Sequence, residues 1–171
     1  IRLHVDADAI RQRLCLLKNA GFNMLRIPGN MLYECDEFYA LCDALGILIF
    51  QDFAFTNFEY PETPAFLENV RREVHQFLEK HGWRPSLAAL CGGSEVAQQA
   101  AMMGMPIERC SQALFTQYLP DMIREYKASI PYAVSSPHAA TSLPFHCGEG
   151  PVTYFGVGGY LRTVEAVSYT H

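Results

Sequence analysis

The sequence predicts an α/β fold with a parallel sheet, and two observations lead to this class. Amphipathic helical patterns alternate along the chain with short apolar strand patterns, and a glycine follows each of the first three helices. Helices that connect parallel strands produce this alternation, because each helix must return the chain to the end of the sheet where it began. Half of the 171 residues are apolar and 18% are charged, which predicts a hydrophobic core and excludes a disordered chain.

The first three units share one layout, an amphipathic helix followed by a glycine and an apolar strand. Gly21, Gly46 and Gly82 follow the three helices and are predicted to cap them. Pro64 marks the start of the third helix, where a missing backbone N–H removes no hydrogen bond. In chain order, the units predict helix 8–20 and strand 22–27, helix 36–45 and strand 47–53, and helix 65–81 and strand 86–91.

The remainder of the chain has a weaker pattern. A fourth helix is predicted over residues 96–103, and a helical region that is interrupted at Pro120 continues to residue 129. A fourth strand follows over residues 131–135, and residues 152–157 are a candidate fifth strand. The sequence therefore predicts four to five parallel strands.

Parallel strands joined by helices form either a doubly wound sheet or a (β/α)8 barrel. No Gly-x-Gly-x-x-Gly or Walker loop follows any predicted strand, so the nucleotide-binding doubly wound sheet loses its main support. A complete barrel has about 250 residues, which is more than this chain contains. We therefore expect residues 1–171 to be a single segment of a partial (β/α)8 TIM barrel, cut at both ends.

Composition narrows the range of partners. The net charge of −5 and the lack of a basic cluster disfavour nucleic acid and anionic membrane surfaces, and the longest apolar run, residues 44–50, is too short to cross a bilayer. No metal-ligand spacing surrounds the six cysteines, so we predict no metal and no cofactor. Without a Cys-x-x-Cys pair, we expect reduced thiols, which weakly favours a cytoplasmic location.

Glu95 is the first candidate for chemistry. It follows the apolar strand 86–91 and two glycines, so it stands just past the carboxyl end of a strand that is predicted to be buried on both faces. Catalytic side chains of α/β barrels lie at this end of the strands, and a carboxyl group placed there can act as a general acid. The alternative is that Glu95 only begins the next helix, where a negative charge is favourable. The two roles can coexist.

Arg26 and Asp52 lie at the ends of the first two predicted strands and therefore face the same barrel mouth. Arg26 either binds a carboxylate or hydroxyl group of a ligand, or forms an ion pair with Glu34 or Asp52. Asp52 either accepts a hydrogen bond from a ligand hydroxyl or caps a loop. Aromatic side chains of the following loop either stack on a ligand or pack in the core: Phe53, Phe55, Phe58 and Tyr60.

Several stretches, taken in order, resemble one known family. Residues 21–29 read Gly-Phe-Asn-Met-Leu-Arg-Ile-Pro-Gly, and residues 41–53 end in Ile-Phe-Gln-Asp-Phe. Residues 33–39, 66–74 and 84–87 continue the similarity, which ends in Cys-Gly-Gly-Ser-Glu at residues 91–95. Together these stretches resemble the catalytic barrel of glycoside hydrolase family 2, and within it the β-mannosidase-like branch.

The resemblance implies a retaining glycosidase that acts on β-linked sugars. In this family the glutamate after the fourth barrel strand is the general acid/base, a position that falls on Glu95. The nucleophile is a second glutamate after the seventh strand, and we expect it to lie outside this chain. Glu149 is the late carboxylate in a loop, but its flanking glycines and Pro151 are typical of a turn. The 171-residue chain alone is therefore expected to be inactive.

The resemblance also implies substrate contacts and further domains. Ser94 stands where the family usually has an asparagine that bonds the sugar 2-hydroxyl, so Ser94 is a predicted substrate-binding residue together with Arg26 and Asp52. Gly93 and Phe50 replace an asparagine and a tryptophan that are common in the family. The remaining barrel and β-sandwich domains of a full-length protein are the expected partners, besides the carbohydrate substrate.

Two other functions stay open at this point. A β-galactosidase or β-glucuronidase-type activity can use the same barrel, and a non-catalytic carbohydrate-binding fragment would have the acid without a nucleophile. A second glutamate on a downstream strand distinguishes the catalytic alternatives from the non-catalytic one. The sequence does not name the sugar, the linkage or the oligomeric state.

Overall fold

Four parallel strands form a single sheet in the computed structural model, which describes residues 6–57, 59–126, 128–139 and 150–151. The strands follow one another in the sheet in chain order, β1, β2, β3 and β4. Their bounds are Met24–Ile27, Leu48–Asp52, Leu87–Cys91 and Tyr132–Ala133. Neighbouring strands that are also consecutive in the chain, each pair parallel, require a helical crossover between them.

Five α-helices accompany the strands in the described part of the chain. Their bounds are Ala7–Asn19 (α1), Asp36–Leu45 (α2), Pro64–His81 (α3), Val96–Met102 (α4) and Leu119–Glu125 (α5). Short 3-10 and π-helical turns occupy Ile107–Arg109 and Leu114–Tyr118. The predicted helices and strands among the described residues are thus present in the predicted order. The candidate fifth strand, residues 152–157, lies outside the described residues.

Local chemistry explains where the first helices begin and end. The Asp6 side chain accepts a hydrogen bond from the Ala9 backbone N–H at 3.0 Å, which caps α1. Gly21 and Gly46 adopt φ angles of +91° and +65°, so both predicted glycine caps are confirmed, and both are left-handed. Gly82 also follows its helix, but it is right-handed, with φ −63°. The predicted cap is therefore confirmed without a left-handed turn, and the Gly82 N–H donates to the Leu78 carbonyl.

The predicted break at Pro120 is absent. The π-helical turn over Leu114–Tyr118 runs directly into α5, and Pro120 lies in the first turn of that helix. At the junction of the two helical segments the proline removes one backbone N–H donor, and the uninterrupted helical backbone accommodates this loss. The helical region also ends earlier than predicted, at Glu125.

The two faces of the sheet have different environments. Ile49 is fully buried on the face that packs against the helices, and Gln51 on the same face accepts a hydrogen bond from Tyr39 of α2 at 2.7 Å. Alternate residues of a strand point to the opposite face. On that inner face Met24 and Leu48 are each 41% exposed. The helical side therefore forms the core, whereas the inner side is open in the described part of the chain.

Two sequence-based predictions on composition can be compared with the structure. The five cysteines among the described residues are free thiols, as expected: Cys15, Cys35, Cys42, Cys91 and Cys110. Among the described residues no helix combines the length and hydropathy that crossing a membrane requires.

Candidate active site

A salt bridge between Arg26 and Asp52 joins the carboxyl ends of β1 and β2. The guanidinium donates to both carboxylate oxygens, from Nε at 3.2 Å and from Nη2 at 2.7 Å, which is a bidentate arrangement. The Asp52 side chain is fully buried, whereas that of Arg26 is 30% exposed. The carboxylate of the pair is thus enclosed by protein, whereas part of the guanidinium is exposed on the open inner face of the sheet.

The loop after β1 closes over the acidic end of this pair. The Gly29 backbone N–H donates to Asp52 Oδ2 at 3.3 Å, so Asp52 accepts from a loop as well as from Arg26. A Cβ atom at Gly29 would collide with the backbone carbonyl of Phe55 and lie 2.6 Å from that of Phe53. Glycine is therefore required here for close approach of two loops rather than for an unusual φ angle.

The segment between β3 and α4 carries the remaining predicted site residues. Beyond the strand, the N–H groups of Gly92 and Gly93 donate to the carbonyls of Ala133 and Val134 at 2.9 and 2.7 Å. These bonds continue the pairing between β3 and β4 past the ends of both strands. Ser94 then adopts φ +44°, in the left-handed region that is uncommon for residues other than glycine.

Ser94 connects this turn to the Arg26–Asp52 pair. Its hydroxyl oxygen lies 3.4 Å from Arg26 Nη2, which also donates to the Ser136 carbonyl at 3.4 Å. The Ser136 N–H in turn donates to the Ser94 carbonyl at 2.7 Å. Arg26 therefore contacts the carboxyl ends of β2, β3 and β4 at once, and Ser94 is 5% exposed within this network.

Glu95 follows directly as the N-cap residue of α4 and is half-buried. It occupies the position of a cap, but its side chain makes no capping hydrogen bond. Helix capping therefore does not engage the carboxylate, and it accepts no hydrogen bond from any other described residue. The position of Glu95 at the start of the helix is confirmed, and no hydrogen bond from a described residue engages its carboxylate.

Electrostatics link the same groups. Partial burial lowers the pKa of Arg26, but the hydrogen bond and negative charge of Asp52, together with the charge of Glu95, outweigh this effect and raise it above the ordinary value. Arg26 is therefore a permanent cation at this end of the sheet. Burial, with the neighbouring charge of Asp52, raises the pKa of the Cys91 thiol to about 12, so that thiol is neutral and a poor nucleophile.

The structure brings Arg26, Asp52 and Ser94 together, and Glu95 follows Ser94 directly in the chain. Of the two ion-pair partners considered for Arg26, Asp52 is the one observed. The aromatic loop packs internally: Phe53 and Phe55 are buried, and Phe55 meets Tyr60 edge-on at 4.8 Å. Phe58 and Glu149 lie outside the described residues. No group of three potential metal ligands occurs within the part of the chain that the structure describes.

Sequence reasoning missed three groups of this site. The Gly29 N–H and the Ser136 carbonyl are backbone groups, and no side-chain pattern marks them. The third is the pair of aromatic residues that contact Gly92 and Gly93, which are Tyr132 and Phe115. Two consecutive glycines directly after a strand were a usable signal for them, since glycine in such a place often marks the close approach of another group.

A cavity of about 550 Å³ lies away from this site. It is formed between α1, β1, the loop after β1 and the start of α2, with Ile10, Leu14, Leu25 and Phe38 in its wall. None of Arg26, Asp52, Ser94 and Glu95 lines it. The polar network and the cavity are therefore separate features, and only the network lies at the carboxyl ends of the strands.

Comparison with known proteins identifies β-mannosidases among the sequence relatives, although no protein-family model matches the chain. The β-mannosidase of Rattus norvegicus is 47% identical over 91 residues, which are 53% of this chain and 10% of that protein. β-Mannosidase B of Aspergillus clavatus is 30% identical over 146 residues, covering 78% of this chain and 17% of the relative. The chain thus spans between a tenth and a fifth of the length of these curated relatives.

A solved structure has the same fold over most of the chain. The β-D-mannosidase of Dictyoglomus thermophilum superposes with a TM-score of 0.81 at 32% identity, over 90% of this chain and 19% of the solved one. The parallel four-stranded sheet and this superposition confirm the predicted fold class, a partial (β/α)8 barrel.

Proposed function

Since this chain is a segment of a family 2 glycoside hydrolase barrel of the β-mannosidase-like branch, we propose that the full-length protein is a retaining glycosidase that hydrolyses β-linked mannosides. The relatives from rat and Aspergillus clavatus and the solved Dictyoglomus thermophilum protein are all named β-mannosidases. Their agreement supports the branch as well as the family.

One observation identifies the residue that we propose as the catalytic acid. Glu95 stands at the carboxyl end of β3, is half-buried, and is not engaged in capping α4. A carboxyl group in that position can reach a substrate bound at the barrel mouth. We therefore assign Glu95 the proton transfer to the glycosidic oxygen, followed by removal of a proton from water in the second step.

The proposed mechanism uses two carboxyl groups. In retaining hydrolysis, one carboxylate attacks the anomeric carbon while the acid protonates the leaving oxygen, and the two groups are about 5–5.5 Å apart. The glycosyl–enzyme ester is then hydrolysed by water that the former acid deprotonates. We place the attacking carboxylate in a part of the protein outside this chain, as the family resemblance implies.

Arg26 and Ser94 have supporting roles in the proposal. The exposed part of the Arg26 guanidinium provides donors on the inner face, where a sugar hydroxyl or the second carboxylate can accept from it. Ser94 has a hydroxyl where the family usually has the amide of an asparagine, and this hydroxyl lies 3.4 Å from Arg26 Nη2. The Asp52 oxygens are occupied by Arg26 and Gly29, so we propose that Asp52 affects substrate through Arg26 rather than by direct contact.

Two further proposals concern the surroundings of the barrel. We propose that other barrel units and β-sandwich domains complete the protein, and that carbohydrate is the substrate. The free thiols of the described cysteines support a reducing, cytoplasmic environment for the chain.

Replacing Glu95 tests the proposed function. We expect Glu95→Ala in the full-length protein to lower kcat/KM on a β-mannoside with a poor leaving group about 10²–10⁴-fold, because protonation of the leaving oxygen is lost. Activated aryl β-mannosides need little protonation and should lose far less. Steady-state kinetics with both substrates, next to aryl β-galactoside and β-glucuronide, measure the effect and the sugar preference.

Glu79→Gln is the matched control, since Glu79 is an exposed carboxylate on α3. It should retain full activity. If Glu95→Ala lowered kcat/KM equally for both kinds of leaving group, the acid role would be contradicted. If the wild-type protein preferred the galactoside or the glucuronide, that sugar would replace mannose in the proposed function. Turnover by the 171-residue chain alone, abolished by Glu95→Gln, would show that the nucleophile lies within it.

A further inference from the structure

Tyr132 of β4 packs beneath the first glycine of the Glu95 turn. A Cβ atom added to Gly92 would collide with the Tyr132 hydroxyl and lie 3.0 Å from its Cζ. The hydroxyl donates a hydrogen bond of 2.7 Å to the Phe115 carbonyl. Burial raises the pKa of this phenol above its ordinary value, so it keeps its proton and remains a donor.

Phe115 packs against the second glycine. A Cβ atom added to Gly93 would lie 3.1 Å from Phe115 Cδ2 and 3.2 Å from the Val134 carbonyl oxygen, which is closer than nearly all such contacts. The ring itself is 2% exposed. Phe115 and Tyr132 therefore enclose the two glycines, and we refer to these two side chains as the aromatic bracket.

The bracket is held in place from the opposite side. Phe115 belongs to the π-helical turn Leu114–Tyr118, and the Leu114 N–H donates to Glu62 Oε1 at 3.0 Å. The Phe115 ring packs edge-on against Phe55 and Tyr60, with 5.5 and 6.1 Å between the ring centroids. The loop after β2 thus holds the π-helical turn, which in turn contacts the loop after β3.

The bracket matters because the two residues after the glycines are Ser94 and Glu95. Ser94 has a left-handed backbone, which persists in L-residues only where the surroundings enforce it. Glu95 is the next residue, so a small rotation at Gly92 or Gly93 displaces its carboxyl group. Proton transfer to a glycosidic oxygen depends on that placement, because misplacement by about 1 Å can slow a reaction by about a hundredfold.

We propose that Tyr132 and Phe115 are positioning residues for proton transfer by Glu95. This inference rests on the proposed function, since it names the groups that aim the proposed acid. The bracket touches the glycines and not the reacting atoms, so it acts through the turn. Its effect should therefore be largest where the reaction depends most on protonation of the leaving group.

The test uses Tyr132→Phe in the full-length protein, since this change removes one hydroxyl and retains the ring. We expect kcat/KM on aryl β-mannosides with poor leaving groups to fall about tenfold, and that on a dinitrophenyl β-mannoside to change less than about twofold. A plot of log kcat/KM against leaving-group pKa should become steeper. Phe115→Leu, which keeps an apolar side chain but loses the ring, should have the same effect.

Tyr126→Phe is the control, because it deletes the same hydroxyl from a tyrosine on the surface beyond α5 that packs beside His75. It should leave both substrates unaffected. An equal loss by Tyr132→Phe on both leaving groups, or no loss on either, would overturn the proposal. The wild-type protein reports on the proposed function separately: if it cleaves no aryl β-glycoside, that function and the inference fail together.

Discussion

Two arginine–aspartate pairs lie at opposite ends of the same sheet and differ in their surroundings. Arg26 and Asp52 meet at the carboxyl ends of β1 and β2, with side-chain exposures of 30% and 0%. Arg84 and Asp43 meet at the amino end of β3, 2.9 Å apart, with exposures of 10% and 19%. At the mouth the arginine is the accessible partner, and at the other end both partners are largely covered.

The partners of each pair explain the difference. Asp43 accepts from the Ser86 N–H at 3.0 Å, and the Arg84 guanidinium lies 4.9 Å from the Trp83 ring centroid and 6.0 Å from that of Tyr39. These contacts join the end of α2 to the start of β3 and include no group next to Glu95. Arg26 instead contacts Ser94. Similar chemistry thus serves stability at one end and, in our proposal, catalysis at the other.

The largest expected effect is that of Asp52→Asn. The asparagine amide has an NH2 group in place of one carboxylate oxygen, and this donor would face the N–H donors of Arg26 or Gly29. The substitution also removes the negative charge that compensates Arg26. We expect a loss of about 2–4 kcal/mol in the free energy of unfolding. Activity in the folded fraction should also fall, because Arg26 no longer holds Ser94. Denaturant unfolding and active-site-normalised kinetics measure the two effects.

Asp43→Asn makes the same chemical change at the other end and should have a smaller, purely structural effect. Its oxygens also accept from two donors, Arg84 and Ser86. These hydrogen bonds hold the pKa of Asp43 below its ordinary value although burial acts in the opposite direction. We expect a loss of about 1–2 kcal/mol in the free energy of unfolding and no change in kcat/KM. A fall in kcat/KM as large as that of Asp52→Asn would remove the distinction between the two ends.

The smallest expected effect is a pH dependence at the end with Asp43. His81 is 3% exposed and stacks on Tyr39 at 4.0 Å between ring centroids. Burial and the neighbouring Arg84 and Lys80 lower its pKa, against the attraction of Asp36 and Asp43. The folded protein therefore favours neutral His81. This contribution to stability is complete above the pKa of unfolded histidine, about 6.5, and is lost as pH falls below it.

His81→Phe checks this pH dependence, because phenylalanine retains the stacking and has no titrating proton. Thermal unfolding between pH 7.5 and pH 5 should show a smaller decrease in Tm for the variant than for the wild type. In the free energy of unfolding, the two proteins should differ by at most about 1.4 kcal/mol per pH unit, the slope for one titrating proton. kcat/KM should be equal in the two proteins at about pH 7. Parallel Tm curves would indicate that His81 titrates normally in the folded state.

The sequence by itself determined the order and type of the elements. Apolar periodicity and the glycines at positions 21 and 46 place the first helices and strands within a few residues of their observed bounds, because these signals depend on the local backbone alone. It also placed Glu95 correctly, just past the end of β3. The continuous helical region across Pro120 was not predictable in this way, since a proline ordinarily breaks or kinks a helix.

Only the tertiary structure decided which of these residues meet. Arg26 contacts Ser94, 68 positions further along the chain, because the parallel register of three strands brings their carboxyl ends together. The same assembly occupies both oxygens of Asp52 and encloses Gly92 and Gly93 with Tyr132 and Phe115. Local patterns encode which face of an element is buried, whereas contacts between distant segments depend on how those faces pack. The position of the proposed acid is thus readable from the chain, whereas the groups that we propose to position it are not.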